Sequence, residues 1–411
     1  MTEQEIDILV ERLVERINEA NIYFLRKIGS SLKQLKELTP SQAHQLVQIL
    51  LHGGNYEDIE RQIAKYTNMD IKDIDKIFAE YAEKDFSFYQ KFYEYRKIPY
   101  IPYKENTVLR RQTEALATVM KTEMYDYFRS NVIGYTIRNT NGKPVFYGLK
   151  ETYRRVLDEA VLNVSQGKES FNSAMRRMLE DIGGSGLKTV DYKSGRSVRL
   201  DSTLRMHLNN MLSEVHNENE KIIGKEIDSD GWEITTHENP AVDHAPVQGR
   251  QFSNKEYEKL QNGLVAEDYI NKKKYTLDHD GKNGYRPISE MNCKHVAFSI
   301  VLGVAKPLHS EEELKAIQKR NEEGFEYEGK HFTMYDGTQL QRSIEREIRK
   351  QKDTQILAKA SGDDELVYKA QDKITKLTRK YKEVSDISGL PTKVERLYVN
   401  GYKKVAKPKS K

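Results

Sequence analysis

Apolar side chains recur every three or four residues between about position 4 and position 35, a spacing that places them on one face of a helix. The set comprises Ile6, Leu9, Val10, Leu13, Val14 and Ile17. Thr39-Pro40-Ser41 then has the form of a helix start, because proline is favoured in the first turn. Two shorter helices are predicted near residues 56–66 and 70–95. The pattern therefore predicts an N-terminal helical bundle.

The middle of the chain continues in helical periodicity with one exception. Helices are predicted over residues 106–135 and 148–182. A small hairpin is expected over residues 190–200, with its turn at a Ser-Gly pair. The Asp-Ser-Thr sequence that begins at Asp201 is typical of a helix cap, and the helix behind it is predicted to end near Lys225.

Residues 231–306 depart from the helical pattern. The block opens with the only tryptophan, Trp232, in a run typical of a short strand, and residues 296–301 form the most strand-like run in the chain. We expect these two strands to pair in a small sheet. The block also holds the only cysteine, Cys293. Candidate chemistry is therefore concentrated in this part of the chain.

The chain returns to a helical pattern after this block. Ser310, followed three residues later by Glu313, has the form of a capping box. Arg342, Arg346 and Arg349 then recur at helical spacing, which predicts a basic line that faces phosphates or an acidic partner. Another helix is predicted over residues 366–384.

Composition favours an α+β protein that is predominantly helical. Of the 411 residues, 37% are hydrophobic and 32% are charged, a balance that suits long helices which each bury one stripe. Five segments are expected: a helical bundle over 1–105, a helical middle region over 106–230, the central α+β block over 231–306, a helical basic arm over 307–400 and a basic tail over 401–411.

Charge is distributed unevenly between the two ends of the chain. The net charge is +4, but residues 341–411 contain 19 Lys/Arg and 10 Asp/Glu, which gives +9 there and −5 in the first 340 residues. The last eleven residues hold five lysines, Lys403 and Lys404 among them, and no acid. Such a basic segment predicts contact with nucleic acid or with an acidic protein surface.

The sequence also indicates a compartment. A single cysteine excludes an internal disulfide, which favours a reducing environment. The chain contains no apolar run near the roughly 18 residues of a membrane span. The N-terminal residues are acidic and lack the pattern of a signal peptide. We therefore expect a cytosolic product without membrane contact.

Two sets of sequence motifs lie in the second half of the chain. The first is a His-Ala-x-x-Gln-Gly sequence followed by Asn-Cys-Lys-His, with a histidine before both; its residues are His237, His244, Gln248, Gly249, Asn292, Cys293 and His295. The second follows in the basic arm, over residues 338–349 and 389–396. Together the two sets resemble the phage minor capsid protein family. An arginine that commonly precedes the family's His-Ala is absent here, where residues 241–243 are Ala-Val-Asp.

This resemblance implies a structural minor capsid protein of a tailed bacteriophage that acts in head assembly near the portal. The implied partners are the portal protein and other capsid proteins, and viral DNA bound by the basic arm is a further candidate. The implied location is the virion, after assembly in the host cytoplasm. Neither catalysis nor a cofactor is implied, and the motif residues are expected to brace the fold.

An enzyme is the alternative class of function. Cys293 and His295 would share one face of a strand, and His244 and His237 would complete a zinc site of one sulfur and three nitrogens. Cys293 beside a histidine base would instead make a thiol nucleophile. The Glu-Arg-Glu sequence at 345–347 resembles the Glu-x-Glu of a toxin-like ADP-ribosyltransferase, although it falls within a predicted helix. The structural interpretation is preferred, because buried histidines and amides commonly satisfy backbone groups.

Overall fold

The computed structural model describes residues 3–36, 38–52, 55–129, 133–139, 141–164, 168–190, 197–277, 286–290 and 293–406. It is about 62% helical with a few short antiparallel sheets. The predicted α+β, predominantly helical class is confirmed. Among the described residues, no helix combines the length and the apolar character needed to cross a membrane.

The N-terminal part of the chain is helical. Its helices are α1 (Glu3–Leu35), α2 (Pro40–His52), α3 (Asn55–Ser87), α4 (Gln90–Arg96) and α5 (Thr107–Arg129). The helices predicted to start near residue 4 and at Thr39-Pro40 are confirmed. The prediction of two short helices near 56–66 and 70–95 is wrong, because α3 is one continuous helix. Its sequence contains neither glycine nor proline to interrupt it.

A four-stranded antiparallel sheet interrupts the helices of the middle region. The elements are β1 (Ile133–Arg138), β2 (Pro144–Gly148), α6 (Leu149–Val164), α7 (Lys168–Ser185), β3 (Lys188–Val190), β4 (Ser197–Arg199) and α8 (Leu200–Glu226), with strand order β2-β1-β3-β4. The predicted hairpin is confirmed in the pairing of β3 with β4, whereas its turn falls outside the described residues. The helices predicted over 106–135 and 148–182 are present, but their bounds differ from the prediction. The first gives way to β1, and the second is divided into α6 and α7.

The central block is built on a three-stranded antiparallel sheet. Its elements are β5 (Gly231–Ile234), β6 (Gln251–Ser253), α9 (Asn254–Gln261), β7 (Ala266–Glu267), β8 (Lys274–Tyr275) and β9 (Ala297–Ile300), and the sheet has the order β6-β5-β9. Trp232 pairs with Ser299 across β5 and β9, which confirms the predicted strand pair. The Trp232 ring stacks on Tyr257 with ring centroids 5.0 Å apart.

The C-terminal part folds back onto the N-terminal part. It contains α10 (Glu311–Glu323), β10 (Phe325–Tyr327), β11 (Lys330–Phe332), α11 (Met334–Ser361), α12 (Asp364–Ser388) and a 3-10 turn (Val394–Leu397). The predicted capping box at Ser310 and Glu313 is confirmed at the start of α10. Helix α11 packs against α1, α7 and α12. The main core therefore joins residues from both ends of the sequence, such as Phe24 and Leu357.

Glycines allow the close approach of α11 to two of these neighbours. A Cβ on Gly29 of α1 would lie 2.7 Å from Cβ of Ala360. A Cβ on Gly183 of α7 would lie 2.5 Å from Cα of Thr354. Both distances are shorter than carbon atoms tolerate, so the backbones can pack at this separation only where the side chain is a hydrogen atom.

Candidate functional site

The sheet of the central block brings two flanking segments together beyond its last paired residues. His237 follows β5, whereas Cys293 and His295 precede β9. The amide of Thr235 donates to the carbonyl of Val296 at 2.9 Å, and the amide of Val296 donates to Oγ1 of Thr235 at 3.0 Å. The histidine after one strand is therefore held beside the cysteine and histidine before the other.

His244, Gln248 and Gly249 lie in a tight turn between β5 and β6. The amide of Gln248 donates to the carbonyl of His244 at 3.2 Å. Gly249 has a φ of 68°, and a Cβ there would lie 2.5 Å from Cδ2 of Leu314 and 2.8 Å from Oγ1 of Thr236. The glycine of the motif is thus required by the left-handed backbone and by the close neighbours.

The thiol of Cys293 lies between two imidazoles. Its Sγ is 3.1 Å from Nδ1 of His244 and 3.5 Å from Nδ1 of His295. All three side chains are buried, and their candidate ligand atoms lie within 4.8 Å of one another. The fold therefore brings together residues from the two halves of the motif, which are 49 positions apart in the case of His244 and Cys293.

The second nitrogen of each imidazole has a fixed acceptor. Nε2 of His244 lies 2.7 Å from the carbonyl oxygen of Arg286, and Nε2 of His295 lies 3.2 Å from Oε1 of Gln248. Oε1 of Gln248 also accepts the backbone N–H of His237 at 2.9 Å, which fixes the orientation of the amide. Since both acceptors need an N–H, each ring carries its proton on Nε2 and presents an unprotonated Nδ1 to the sulfur.

A third imidazole, that of His237, lies against the ring of His295. Its ring lies edge-on to that of His295, with centroids 4.5 Å apart, and the ring of His244 lies 5.3 Å from His295 on another side. Burial, with His237 and His244 adding to it, holds the pKa of His295 well below its ordinary value. Burial also lowers the pKa of His244 and raises that of Cys293. All three shifts favour the neutral forms of Cys293, His244 and His295.

This arrangement suits ligation better than nucleophilic catalysis. His244 is within hydrogen-bond reach of the thiol, as a catalytic base would be. Cys293, however, is only 5% exposed and His244 is fully buried. A substrate carbonyl could not approach the sulfur without opening the block. The Glu-Arg-Glu sequence of the toxin-like alternative lies inside α11, where Glu345 is buried and accepts a hydrogen bond from Tyr381 at 3.0 Å.

The basic residues of the C-terminal arm have different surroundings. Arg346 is exposed and Arg342 is partly buried, but Arg349 is buried with its Nε 3.0 Å from Oδ2 of Asp201. The three arginines therefore do not form one exposed line, because the stripe that carries Arg349 faces the core. Lys403 and Lys404 are exposed. Asn292, the remaining predicted motif residue, lies outside the described residues.

Sequence reasoning missed a buried network of charges that joins α1, β4, α8 and α11. Arg199 contacts Asp201 and Asp353, each at 3.2 Å, while Arg205 pairs with Glu11 and with Asp201. Burial alone would raise the pKa of Asp201, but the arginines around it hold that pKa below its ordinary value. Asp201 is therefore a buried ion-pair partner within the first turn of α8. Its predicted role as a cap is wrong, since Arg199 occupies the cap position without a side-chain cap.

A second buried network fixes the central sheet onto the helical body. Nδ1 of His216 lies 2.9 Å from Asp85, and Nε2 of His216 lies 3.0 Å from the carbonyl oxygen of Ala297 in β9. Glu220 accepts a hydrogen bond from the Tyr89 hydroxyl and another from the backbone N–H of Ser299 at 2.7 Å. Tyr89 is therefore buried against the central sheet. One signal was available in the sequence, because His216 and Glu220 are in phase with the apolar stripe of α8.

The profile of one protein family, phage minor capsid protein 2, matches residues 1–384. The match includes the N-terminal helices, in which no motif could be recognised, and it confirms the resemblance inferred from the motifs. Neither the curated proteins nor the solved structures contain a match to the chain.

Proposed function

The chain belongs to the phage minor capsid protein 2 family, and we propose that it acts in head assembly of a tailed bacteriophage at or near the portal. The match over residues 1–384 is the observation that carries this proposal. Family membership implies a virion location and contact with other capsid components. A component that is present in few copies per head must bind a site that occurs few times in the shell. The portal vertex is such a site, and we therefore favour it as the position of this protein.

Contact with packaged DNA is a further part of the proposal. Arg346, Lys403 and Lys404 are exposed, and the region from residue 341 onwards carries a net charge of +9. Lys403 and Lys404 are held on the folded body, because the neighbouring Val405 donates its N–H to Gln371 at 2.9 Å. A fixed cationic surface binds phosphates with release of counterions and without base specificity.

The portal contact is tested by recovery from infected cells. An affinity-tagged copy of the chain, expressed from the phage genome, is expected to recover portal protein in stoichiometric excess over the major shell protein. A phage with a null allele is expected to make fewer or misassembled heads while its DNA replication continues. Normal yields of infectious particles from the null phage would refute a role in assembly. Recovery of shell protein without portal protein would refute the proposed position near the portal.

The DNA contact is tested by a salt titration. Replacement of Lys403 and Lys404 by glutamine is expected to reduce the slope of log K against log salt by about 2, at roughly 0.9 per phosphate contact. The matched control replaces Lys76 and Lys91, which are exposed on α3 and α4, and removes the same charge from a different part of the chain. Equal slopes for the two double variants would show that the C-terminal lysines have no special part in DNA binding.

A further inference from the structure

Two imidazoles and a thiol meet at one point inside the central block. In a tetrahedral zinc site, Zn–S distances of about 2.3 Å and Zn–N distances of about 2.0 Å place sulfur and nitrogen about 3.5 Å apart. The distances from Sγ of Cys293 to Nδ1 of His244 and of His295 are 3.1 and 3.5 Å. The cluster therefore has nearly the dimensions of two edges of such a tetrahedron.

The partners of the outer nitrogens have the form expected around a metal. A histidine that ligates a metal almost always donates its other ring N–H to a carbonyl or carboxylate oxygen, which fixes the ring and its tautomer. The carbonyl of Arg286 serves His244 in this way, and the amide oxygen of Gln248 serves His295. Asp243 adds a carboxylate 3.6 Å from Nε2 of His244, held by the Arg286 guanidinium at 2.9 Å.

We propose that Cys293, His244 and His295 bind a Zn²⁺ ion, with His237 as the fourth ligand. A thiolate and neutral imidazoles are the ligands that zinc prefers, and a site closed by four protein ligands is structural rather than catalytic. The His237 ring lies against that of His295 and belongs to the segment that Gln248 already holds. Capsid assembly does not by itself require a metal, so this site goes beyond the function proposed above.

The ion would link the separate parts of the motif. It joins the turn between β5 and β6 to the segment that leads into β9, and these two segments have little regular structure of their own. When Zn²⁺ binds, the Cys293 thiol releases its proton to solvent, and the positive ion balances the charge of the resulting thiolate. Because the unfolded chain has no such site, the free energy of metal binding stabilises the fold. Gln248 acts as a positioning residue, and Gly249 gives the turn its conformation.

Metal content and spectroscopy of the full-length protein test this site. Protein purified without a polyhistidine tag is expected to contain one equivalent of zinc by elemental analysis. After removal of zinc, addition of Co²⁺ is expected to give the absorption of a tetrahedral site with a thiolate-to-cobalt charge-transfer band. Cys293→Ser is expected to abolish that band, and His244→Gln and His295→Gln to lose stoichiometric zinc. The control His44→Gln changes an exposed histidine of α2 and is expected to keep both signals.

Two further variants separate the parts of the proposal. Gln248→Leu keeps all four ligands and is expected to lower zinc affinity about 10- to 100-fold, as loss of an outer partner does. His237→Ala is expected to weaken binding and alter the cobalt spectrum, and unchanged binding would refute its assignment as fourth ligand. Absence of bound zinc or cobalt in the wild-type protein, before and after reconstitution, would overturn the site. This last result does not depend on whether any variant folds.

Discussion

Replacement of Arg349 by methionine tests whether this arginine stabilises the fold or serves as a surface contact. The side chain is 4% exposed and lies beside Asp201. The two belong to a largely buried set of three arginines and three carboxylates, which are Arg199, Arg205, Arg349, Glu11, Asp201 and Asp353. Methionine keeps most of the volume and removes the charge, so the buried set becomes net negative. Loss of one partner from a buried ion pair costs about 3–5 kcal/mol. We expect a value near the low end, because Arg199 and Arg205 continue to face Asp201.

Chemical denaturation of the purified protein, followed by circular dichroism, measures this effect. The matched control is Arg346→Met, which makes the same chemical change one turn earlier on the exposed side of α11. We expect that control to change the free energy of unfolding by less than about 0.5 kcal/mol. DNA binding should weaken in Arg346→Met and stay unchanged in Arg349→Met, since of these two arginines only Arg346 is exposed on the folded protein.

A double-mutant cycle then tests the pairing itself. Asp201→Asn alone should destabilise the protein, whereas Asp201→Asn combined with Arg349→Met restores equal numbers of buried positive and negative groups. We expect the double variant to be more stable than the sum of the single effects by about 0.5–3 kcal/mol. If Arg349→Met unfolds at the wild-type midpoint, or if the two single effects simply add, the charge balance described here is not what stabilises this region.

Three further outcomes are expected from unfolding measurements. Burial alone would lower the pKa of His216, but Asp85 and Glu220 outweigh that effect and raise it to about 9. The charged imidazole should therefore contribute about 3 kcal/mol to the free energy of unfolding below pH 6.5, and this contribution should be lost as the pH rises through 9. The His216→Gln variant should lack this pH dependence. Gly183→Ala should destabilise the protein by about 1–3 kcal/mol through its clash with α11, whereas Gly184→Ala, with open space around its Cβ, should stabilise it by about 0.4–1 kcal/mol. Ser310→Ala should cost about 1 kcal/mol through loss of the cap on α10, and an unchanged melting temperature would contradict that role.

Local sequence patterns predicted the elements whose formation depends on residues that are near one another in the chain. The apolar spacing of α1 was sufficient to predict that helix, because a helix buries one face whatever element covers it. The Ser310 capping box was sufficient to predict the start of α10. The four-stranded sheet was largely missed, since β3 and β4 have three residues each and β2 is half-exposed, which leaves no clear alternation. Short strands of this kind form because neighbouring helices cover them, and that information is not local.

The charged residues of the core could not be assigned from sequence for the same reason. Asp201 has the local sequence of a cap and Arg349 has that of an exposed basic line. Their actual roles depend on an ion-pair network that also links Arg199 to Asp353, 154 residues away. In the motif, strand alternation suggested that Cys293 and His295 share a side, yet both precede β9. Convergence of His244 on them depends on the left-handed turn at Gly249, which no spacing rule encodes.

The contacts of α1 impose an order on biosynthesis. Asn21 donates to Asp353 across 332 residues, and Asp7 pairs with Lys393 and Arg396 across 386 and 389 residues. At about 5–20 residues per second, a ribosome needs roughly 20–70 s to make the segment that separates the partners in even the shorter of these contacts. During that interval the face of α1 that will meet α11 has no permanent partner. The contacts of this face form only after the last helices have been made, so a late stop codon would leave the first helix as incompletely packed as the last.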